Sequence, residues 1–493
     1  MRIIKYLSFC ISLMVLSVAA SCSDEEEFSN DASVALEFSD DTIHFDTIFT
    51  SIGSATKRFK IYNKGKQGVR IPSIRLGSGG SSGFRVNLDG RANTQFSDVE
   101  IYHGDSLFCF VEVTVNPHDS DSPILLSDSL IFTLPNGKTQ QVILQAYGQD
   151  IIILKDRHVE TDTSFEAKRP YVIYDSLTVD SGATLTLKAG TVLCFHSGAS
   201  LNIHGKVIAE GEVGNRVTMR CDRTDKLFPY LPYDRTDAQW GGITIYQESE
   251  GNRFIQCDIH GGSYGIRNIG SKGNRREVLY MLNSIIHNVA GDALNLTDIK
   301  STIHGCQITN AQGNCVTVTG GDVEFSHCTI AQFYPWSATY GNALYFTNHI
   351  ENTEHPLINL SFVNSIITGY SNDELFGVPM QDSDTPFNYH FAGCLINTVL
   401  TEDDMEDFEE CRLDTISTEN NSGTIDNSNK PKPREGNFRL LDTDNFIYDF
   451  RLDTLSAARQ LGVGSLIPED CRTDMNGKVR NEEHPDAGCY QFE

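Results

Sequence analysis

Apolar and polar residues alternate along this chain in short pulses, interrupted every few positions by glycine, asparagine or aspartate. In the first part, the alternation predicts strands over 42–45, 57–62, 69–74, 108–115, 129–134 and 139–146. Turn clusters such as Asn63-Lys64-Gly65 and Pro135-Asn136-Gly137 separate them. About seven short strands over 34–150 fit a β-sandwich.

From Ile151 the rhythm changes to a repeat. The pattern small–x–Ile recurs as Cys257-Asp258-Ile259, Ser284-Ile285-Ile286, Cys306-Gln307-Ile308, Cys328-Thr329-Ile330, Ser365-Ile366-Ile367 and Cys394-Leu395-Ile396, at offsets of 27, 22, 22, 37 and 29. A period near 22 suits one coil of a structure in which each turn of chain pairs only with its neighbours. Identical positions then stack, and inward columns must be small or apolar. Ile266, Ala293 and Cys315, each nine residues after a small position, are expected to form a second such column. The segments 222–239 and 332–342 are too long for simple turns and are expected to project as loops.

Composition narrows the function classes. The 493 residues carry 66 Asp and Glu against 39 Lys and Arg, a formal charge of −27, which excludes nucleic acid and disfavours polyanions generally. From Ser301 to Cys411 there is no Lys or Arg, against 15 Asp and Glu. Of 13 cysteines, setting aside Cys10 and Cys22 leaves 11, an odd number that argues against a complete disulfide framework. Cys306 and Cys328, on adjacent coils, read as packing residues, and Cys471 and Cys489 as the better disulfide candidate.

Several segments resemble known families. Residues 1–21 hold Arg2, Lys5 and an apolar run too short to span a bilayer, ending in Ala19-Ala20-Ser21-Cys22. This resembles a bacterial lipoprotein signal, which implies lipidation of Cys22 and a membrane anchor. The following Ser23-Asp24-Glu25-Glu26-Glu27 opens an acidic tether over 22–33 and resembles the surface-export signal of one phylum of Gram-negative bacteria, implying the outer membrane and the cell exterior. Phe45-Asp46-Thr47-Ile48, Phe59-Lys60-Ile61-Tyr62-Asn63 and Ala146-Tyr147-Gly148-Gln149-Asp150 resemble hydin-type (ASH) immunoglobulin-like domains. Gly182 to Val192, Leu201 to Gly211 and Trp240-Gly241-Gly242-Ile243 resemble right-handed parallel β-helix proteins of the pectin-lyase-like superfamily, assigned here to 151–430. Residues 431–493, with Asp474-Met475-Asn476-Gly477-Lys478-Val479-Arg480 and Asp486-Ala487-Gly488-Cys489-Tyr490, resemble a terminal capping module of bacterial surface β-helix proteins. The expected fold is all-β: a sandwich followed by a parallel β-helix.

That superfamily holds many polysaccharide lyases and glycoside hydrolases, so catalysis must be weighed. Of the motifs of polygalacturonase-like enzymes, Asn–Thr–Asp, Gly–His–Gly and Arg–Ile–Lys are absent after the leader, and Asp-Asp occurs only at Asp40-Asp41 and in the acidic run at Asp403-Asp404. A lyase base would have to come from Arg267, Arg275 or Arg276. No catalytic residue is assigned. The aromatic loops offer a binding alternative, with Trp240 after the first and Tyr334, Trp336 and Tyr340 in the second as ligand-contacting candidates. The run Glu402, Asp403, Asp404, Glu406, Asp407, Glu409, Glu410 could attract calcium but lacks the ligand spacing and turn glycine of a dedicated loop, so no cofactor is expected. The expectation is a lipid-anchored, non-catalytic scaffold for a glycan or surface partner; the alternative is a polysaccharide lyase or glycoside hydrolase with a site on the flank of the coils.

Overall fold

The computed structural model describes residues 27–31, 33–269, 276–399, 406–414 and 436–492. The leader, half of the tether including Cys22, Arg275 and Glu402 to Asp404 lie outside the described residues. The chain is almost entirely β and divides into two compact units, Met1–Gln149 and Asp150–Glu493. Among the described residues no helix is long and apolar enough to cross a membrane.

The first unit holds two five-stranded sheets around one core. One sheet runs Glu37–Phe38, Lys57–Tyr62, Ser106–Val113, Phe84–Leu88, Arg91–Ala92; the other runs Thr42–Phe49, Thr139–Gln149, Ile124–Thr133, Val69–Leu76, Gln95–Ile101. Thr42–Phe49 lies parallel to Thr139–Gln149 and the remaining pairs are antiparallel. The period-2 pattern sets the inward face: Phe59 and Ile61 from the first sheet meet Ile71, Phe132 and Leu144 from the second, all buried. The strands at 84–88 and 95–101 add to the six expected from alternation.

In the second unit the chain visits three parallel ladders in turn. The first includes Cys257–His260, Ile285–Val289, Gln307–Ala311, Thr329–Gln332 and Ile366–Gly369; the second includes Gly242–Ile245, Ile266–Asn268, Leu294–Thr297, Val316–Thr319 and Leu344–Thr347. Both belong to one 18-stranded sheet, and the third ladder is a separate ten-stranded parallel sheet. Each ladder sends one column of side chains inward. Ile259, Ile286, Ile308, Ile330, Ile367 and Ile396 pair in register along the first. All six are fully buried.

The second column is Ile243, Ile266, Leu294, Val316, Leu344 and Leu375. Ile266 therefore stacks on Leu294 and not on Ala293, which corrects the expected column by one residue after its first member. The third column runs Phe254, Met281, Ile303, Phe325, Phe362, Phe391, Phe408. Its aromatic end is a stack: Phe325–Phe362 centroids lie 4.3 Å apart and Phe391–Phe408 4.8 Å, with planes within 3° and 5° of parallel.

A sharp corner connects the third ladder to the first, and the residue immediately before each small position makes it. Gln256, Asn283, Gly305, His327, Asn364 and Gly393 have φ of 49°, 49°, 61°, 51°, 49° and 63°. This left-handed conformation costs a side chain with a Cβ about 1–2 kcal/mol, and asparagine and glycine tolerate it best. The small Cys or Ser that follows turns inward where the corner leaves least room.

The C-terminal segment reaches the end of the last coil, where Asn437 Nδ2 donates to Asp414 Oδ2 at 3.1 Å. Its described residues lie along the flank of the coils, where Gln256 Nε2 donates to Met475 O at 3.0 Å, Tyr490 Oη to Gln307 Oε1 at 3.0 Å, and Thr329 Oγ1 accepts from Cys489 N at 3.1 Å. Phe438, Phe450 and Leu452 share a small core with Phe333, Tyr370 and Leu395. The expected Cys471–Cys489 disulfide is not formed: both thiols are buried and free, and Cys489 Sγ instead bonds Thr329 Oγ1 at 3.2 Å.

Candidate functional site

On a coil strand, alternate residues face outward, so the partners of the inward isoleucines make a polar strip on the first ladder. His287 and Thr309 pair there on neighbouring rungs. Asn288 and Asn310 follow them, both left-handed at φ 54° and 58°. The C-terminal hairpin, Phe438–Asp442 and Ile447–Leu452, folds back over this strip and walls a cleft of about 290 Å³. Arg235 of the first long loop and Tyr490 complete the lining.

Two polar atoms on the cleft floor lack partners. Thr309 Oγ1 and Asn310 Oδ1 are buried and have no hydrogen-bond partner among the described residues. Buried polar atoms are mostly satisfied. Others without a partner, such as Ser301 Oγ, Ser326 Oγ and Thr368 Oγ1, occur elsewhere in the coils, and the Thr309–Asn310 pair differs in belonging to residues that line a cavity. The one carboxylate lining the cleft, Asp449, is occupied: Arg451 clamps it through Nε at 2.9 Å and Nη2 at 2.6 Å. No free acid pair faces the cavity among the described residues.

An aromatic rim borders the cleft. Trp336 packs on Phe446 with centroids 4.1 Å apart, Phe446 faces Tyr230 at 6.3 Å, and Tyr230 stacks on Phe228 at 5.8 Å. Tyr230 and Phe228 are half exposed, at 51% and 50%. Rings from the two long loops and the hairpin thus form one row, which no single sequence segment contains.

The other aromatic candidates are placed differently. Trp240 is 1% exposed, stacked on Phe195 with centroids 4.3 Å apart, and its Nε1 donates to His260 O at 2.8 Å. Tyr334 is also buried, with its hydroxyl bonded to Asp237; burial and that carboxylate push the phenol well above its ordinary range. Neither ring can stack on a ligand, which corrects both assignments: the projecting loops fold onto the coils and bury these side chains. Tyr340 is half-buried, with its ring centroid 6.1 Å from that of Tyr370. Of the four candidates, the structure brings only Trp336 to the row beside the cleft.

Next to the cleft lies a cluster that the sequence reading passed over. On the strand Cys257–His260, Asp258 and His260 both face outward, and His260 pairs with His287 on the next rung. His260 Nδ1 lies 2.8 Å from Asp258 Oδ1, its Nε2 3.0 Å from Asp234 Oδ1, and His287 Nε2 3.3 Å from Asp258 Oδ1. Arg220 Nε reaches Asp234 at 2.9 Å. Burial opposes charge on His260, but Asp258 and Asp234 outweigh it and hold its pKa up to about 10. Burial likewise opposes the Asp258 carboxylate, and the two histidines outweigh it, holding it well below the ordinary range. The available signal was positional: His260 and His287 each sit three residues after a small position, so the repeat itself stacks them.

The cationic candidates are engaged elsewhere. Arg267 lies over the Tyr264 ring at 4.0 Å and donates to Thr244 Oγ1, while Arg276 pairs with Glu250.

No family model matches this chain, and no curated protein matches it. Solved structures show partial likeness at low scores. One is a family 123 glycoside hydrolase from Clostridium perfringens, studied for glycolipid glycan hydrolysis, at 6% identity and TM-score 0.17 over 24% of this chain and 26% of that one. Another is the ASH/PapD-like domain 7 of human CEP192, at 10% identity and TM-score 0.17 over 27% of this chain and 96% of that one. A third is the CsuC–CsuE chaperone–tip adhesion subunit complex of Acinetobacter baumannii pili, at 19% identity and TM-score 0.15 over 23% and 52%. This chain spans about a quarter of the hydrolase's length. At such scores none of these likenesses bears on activity.

Proposed function

We propose that the protein is a lipid-anchored outer-membrane protein, tethered through Cys22 and facing the cell exterior, with an immunoglobulin-like domain carrying a right-handed parallel β-helix that binds a glycan without cleaving it. The cleft carries this reading. Its floor offers unsatisfied Thr309 and Asn310 oxygens beside amides, and its border is a row of aromatic rings. Sugars present hydroxyls at their edges and apolar C–H faces, so this combination suits them.

The charge pattern favours a neutral saccharide, because an acidic surface repels a uronate polymer. Glycoside hydrolysis needs two working carboxylates flanking the scissile bond, and the cleft presents one, already clamped by Arg451. The test is a panel of neutral and uronic polysaccharides incubated with the purified protein, with and without calcium, and read for retention and for released oligosaccharides. Retention of a neutral glycan without products supports the proposal. Products would overturn it in favour of a lyase or hydrolase, and no retention across the panel would shift the role to a surface protein partner.

A further inference from the structure

The Asp258–His260–His287 cluster is arranged for more than ion pairing. Asp258, His260 and His287 each offer one potential ligand atom, a carboxylate oxygen and two ring nitrogens, and these lie within 4.8 Å of one another. Four-coordinate zinc holds imidazole nitrogens at about 2.0–2.1 Å, which places neighbouring ligand atoms about 3.3 Å apart. The separations from Asp258 Oδ1 are 2.8 Å to His260 Nδ1 and 3.3 Å to His287 Nε2, so closing around an ion needs only small side-chain movements.

The surroundings supply what such a site requires beyond its ligands. Asp234 Oδ1, 3.0 Å from His260 Nε2, holds that nitrogen as the N–H donor, so the proton a metal must displace is the one on Nδ1, 2.8 Å from Asp258 Oδ1. Arg220 fixes Asp234 in turn, and the buried Trp240 indole fixes the His260 carbonyl. The two strands are rungs of one parallel ladder, so the His260–His287 spacing is set by the backbone. His287 also lines the cleft, which gives a bound ion an open side toward it.

We propose that Asp258, His260 and His287 bind a divalent transition-metal ion, zinc by preference, with Asp234 as the positioning residue for His260. Two imidazoles and one carboxylate match zinc and its neighbours better than calcium, which takes oxygen ligands. The ion replaces the proton shared between His260 Nδ1 and Asp258. The proposal is independent of glycan binding: the site can hold metal whether or not the cleft takes a sugar. The second cluster, His304 with Asp470 and Cys471, offers one histidine where the first offers two, and its Nε2 has no hydrogen-bonded carboxylate to orient it, Glu324 lying 3.6 Å away.

The test is calorimetric titration of Zn²⁺ into the purified, untagged full chain after chelator dialysis, with Co²⁺ absorption as a second readout. One equivalent is expected to bind, with a four-coordinate cobalt spectrum. His287→Gln should weaken binding at least about 30-fold and Asp234→Asn about 10-fold, with the circular dichroism spectrum unchanged, while His304→Gln binds as the native chain does. Absence of a saturable site in the native chain, or equal zinc affinity in His287→Gln, overturns the proposal. Loss of binding in His304→Gln but not in His287→Gln moves the ion to the other cluster and overturns it as well.

Discussion

The Trp336 ring lies against Phe446 with centroids 4.1 Å apart, joining the second long loop of the coils to the C-terminal hairpin. This contact continues the aromatic row past the edge of the first loop and places it beside unsatisfied oxygens on the cleft floor. If the row stacks on sugar faces, Trp336→Ala and Tyr230→Ala each weaken glycan retention about tenfold. Tyr334→Phe is expected to leave retention unchanged and to cost about 1–3 kcal/mol of stability, since it strips Asp237 of its buried partner. Affinity electrophoresis alongside urea unfolding separates the two outcomes.

Asn364 is a corner residue with two tasks. It holds φ at 49°, and its side chain brackets Val463, accepting from the backbone N at 2.7 Å and donating to the carbonyl at 3.2 Å. Asn364→Gly keeps the conformation but loses both bonds, for an expected cost of about 2 kcal/mol. Asn364→Ala adds about 1 kcal/mol of backbone strain. Equal losses in the two variants, measured by denaturant unfolding, would show that the corner geometry is not what asparagine serves.

His304 ties the C-terminal segment to the third ladder through Asp470, at 2.9 Å. Burial opposes its charge, but Asp470 and Glu324 outweigh that and raise its pKa to about 9. The folded value lies above the ordinary histidine value of about 6.5, so the stabilisation is complete below about pH 6.5 and is lost as pH rises through 9. The thermal midpoint of the native chain should therefore fall across that window. His304→Gln should start lower and flatten this part of the profile; an unchanged slope would remove His304 as the cause.

Among the described residues eleven cysteines are free, and all but Cys411 are buried. Burial pushes the thiols of Cys109 and Cys257 up to about 12, further from the reactive thiolate. Of these eleven, a thiol reagent should label at most Cys411 in the native protein and all of them after denaturation. Rapid native labelling of several thiols would contradict the packed columns.

The inward isoleucine column and the small residues beside it were legible because a coil pairs only with its neighbours. The same local demand therefore recurs at each turn and writes itself into the sequence as Ser or Cys, then Ile. The phenylalanine stack at Phe325, Phe362 and Phe391 obeys the same rule, yet its ladder mixes residue types, with Met281 and Ile303 in one column, and hides the repeat. Tertiary packing alone decided which aromatic rings are available. Trp240 and Tyr334 read like loop residues, but loop and coil close over them, whereas Phe446 becomes part of the rim only when the hairpin folds back onto the first ladder. The cleft and the Asp258–His260–His287 cluster join residues from different coils, the first loop and the C-terminus. Repeat periodicity fixes neighbours along a ladder, but it does not specify what folds across the ladder's outer face.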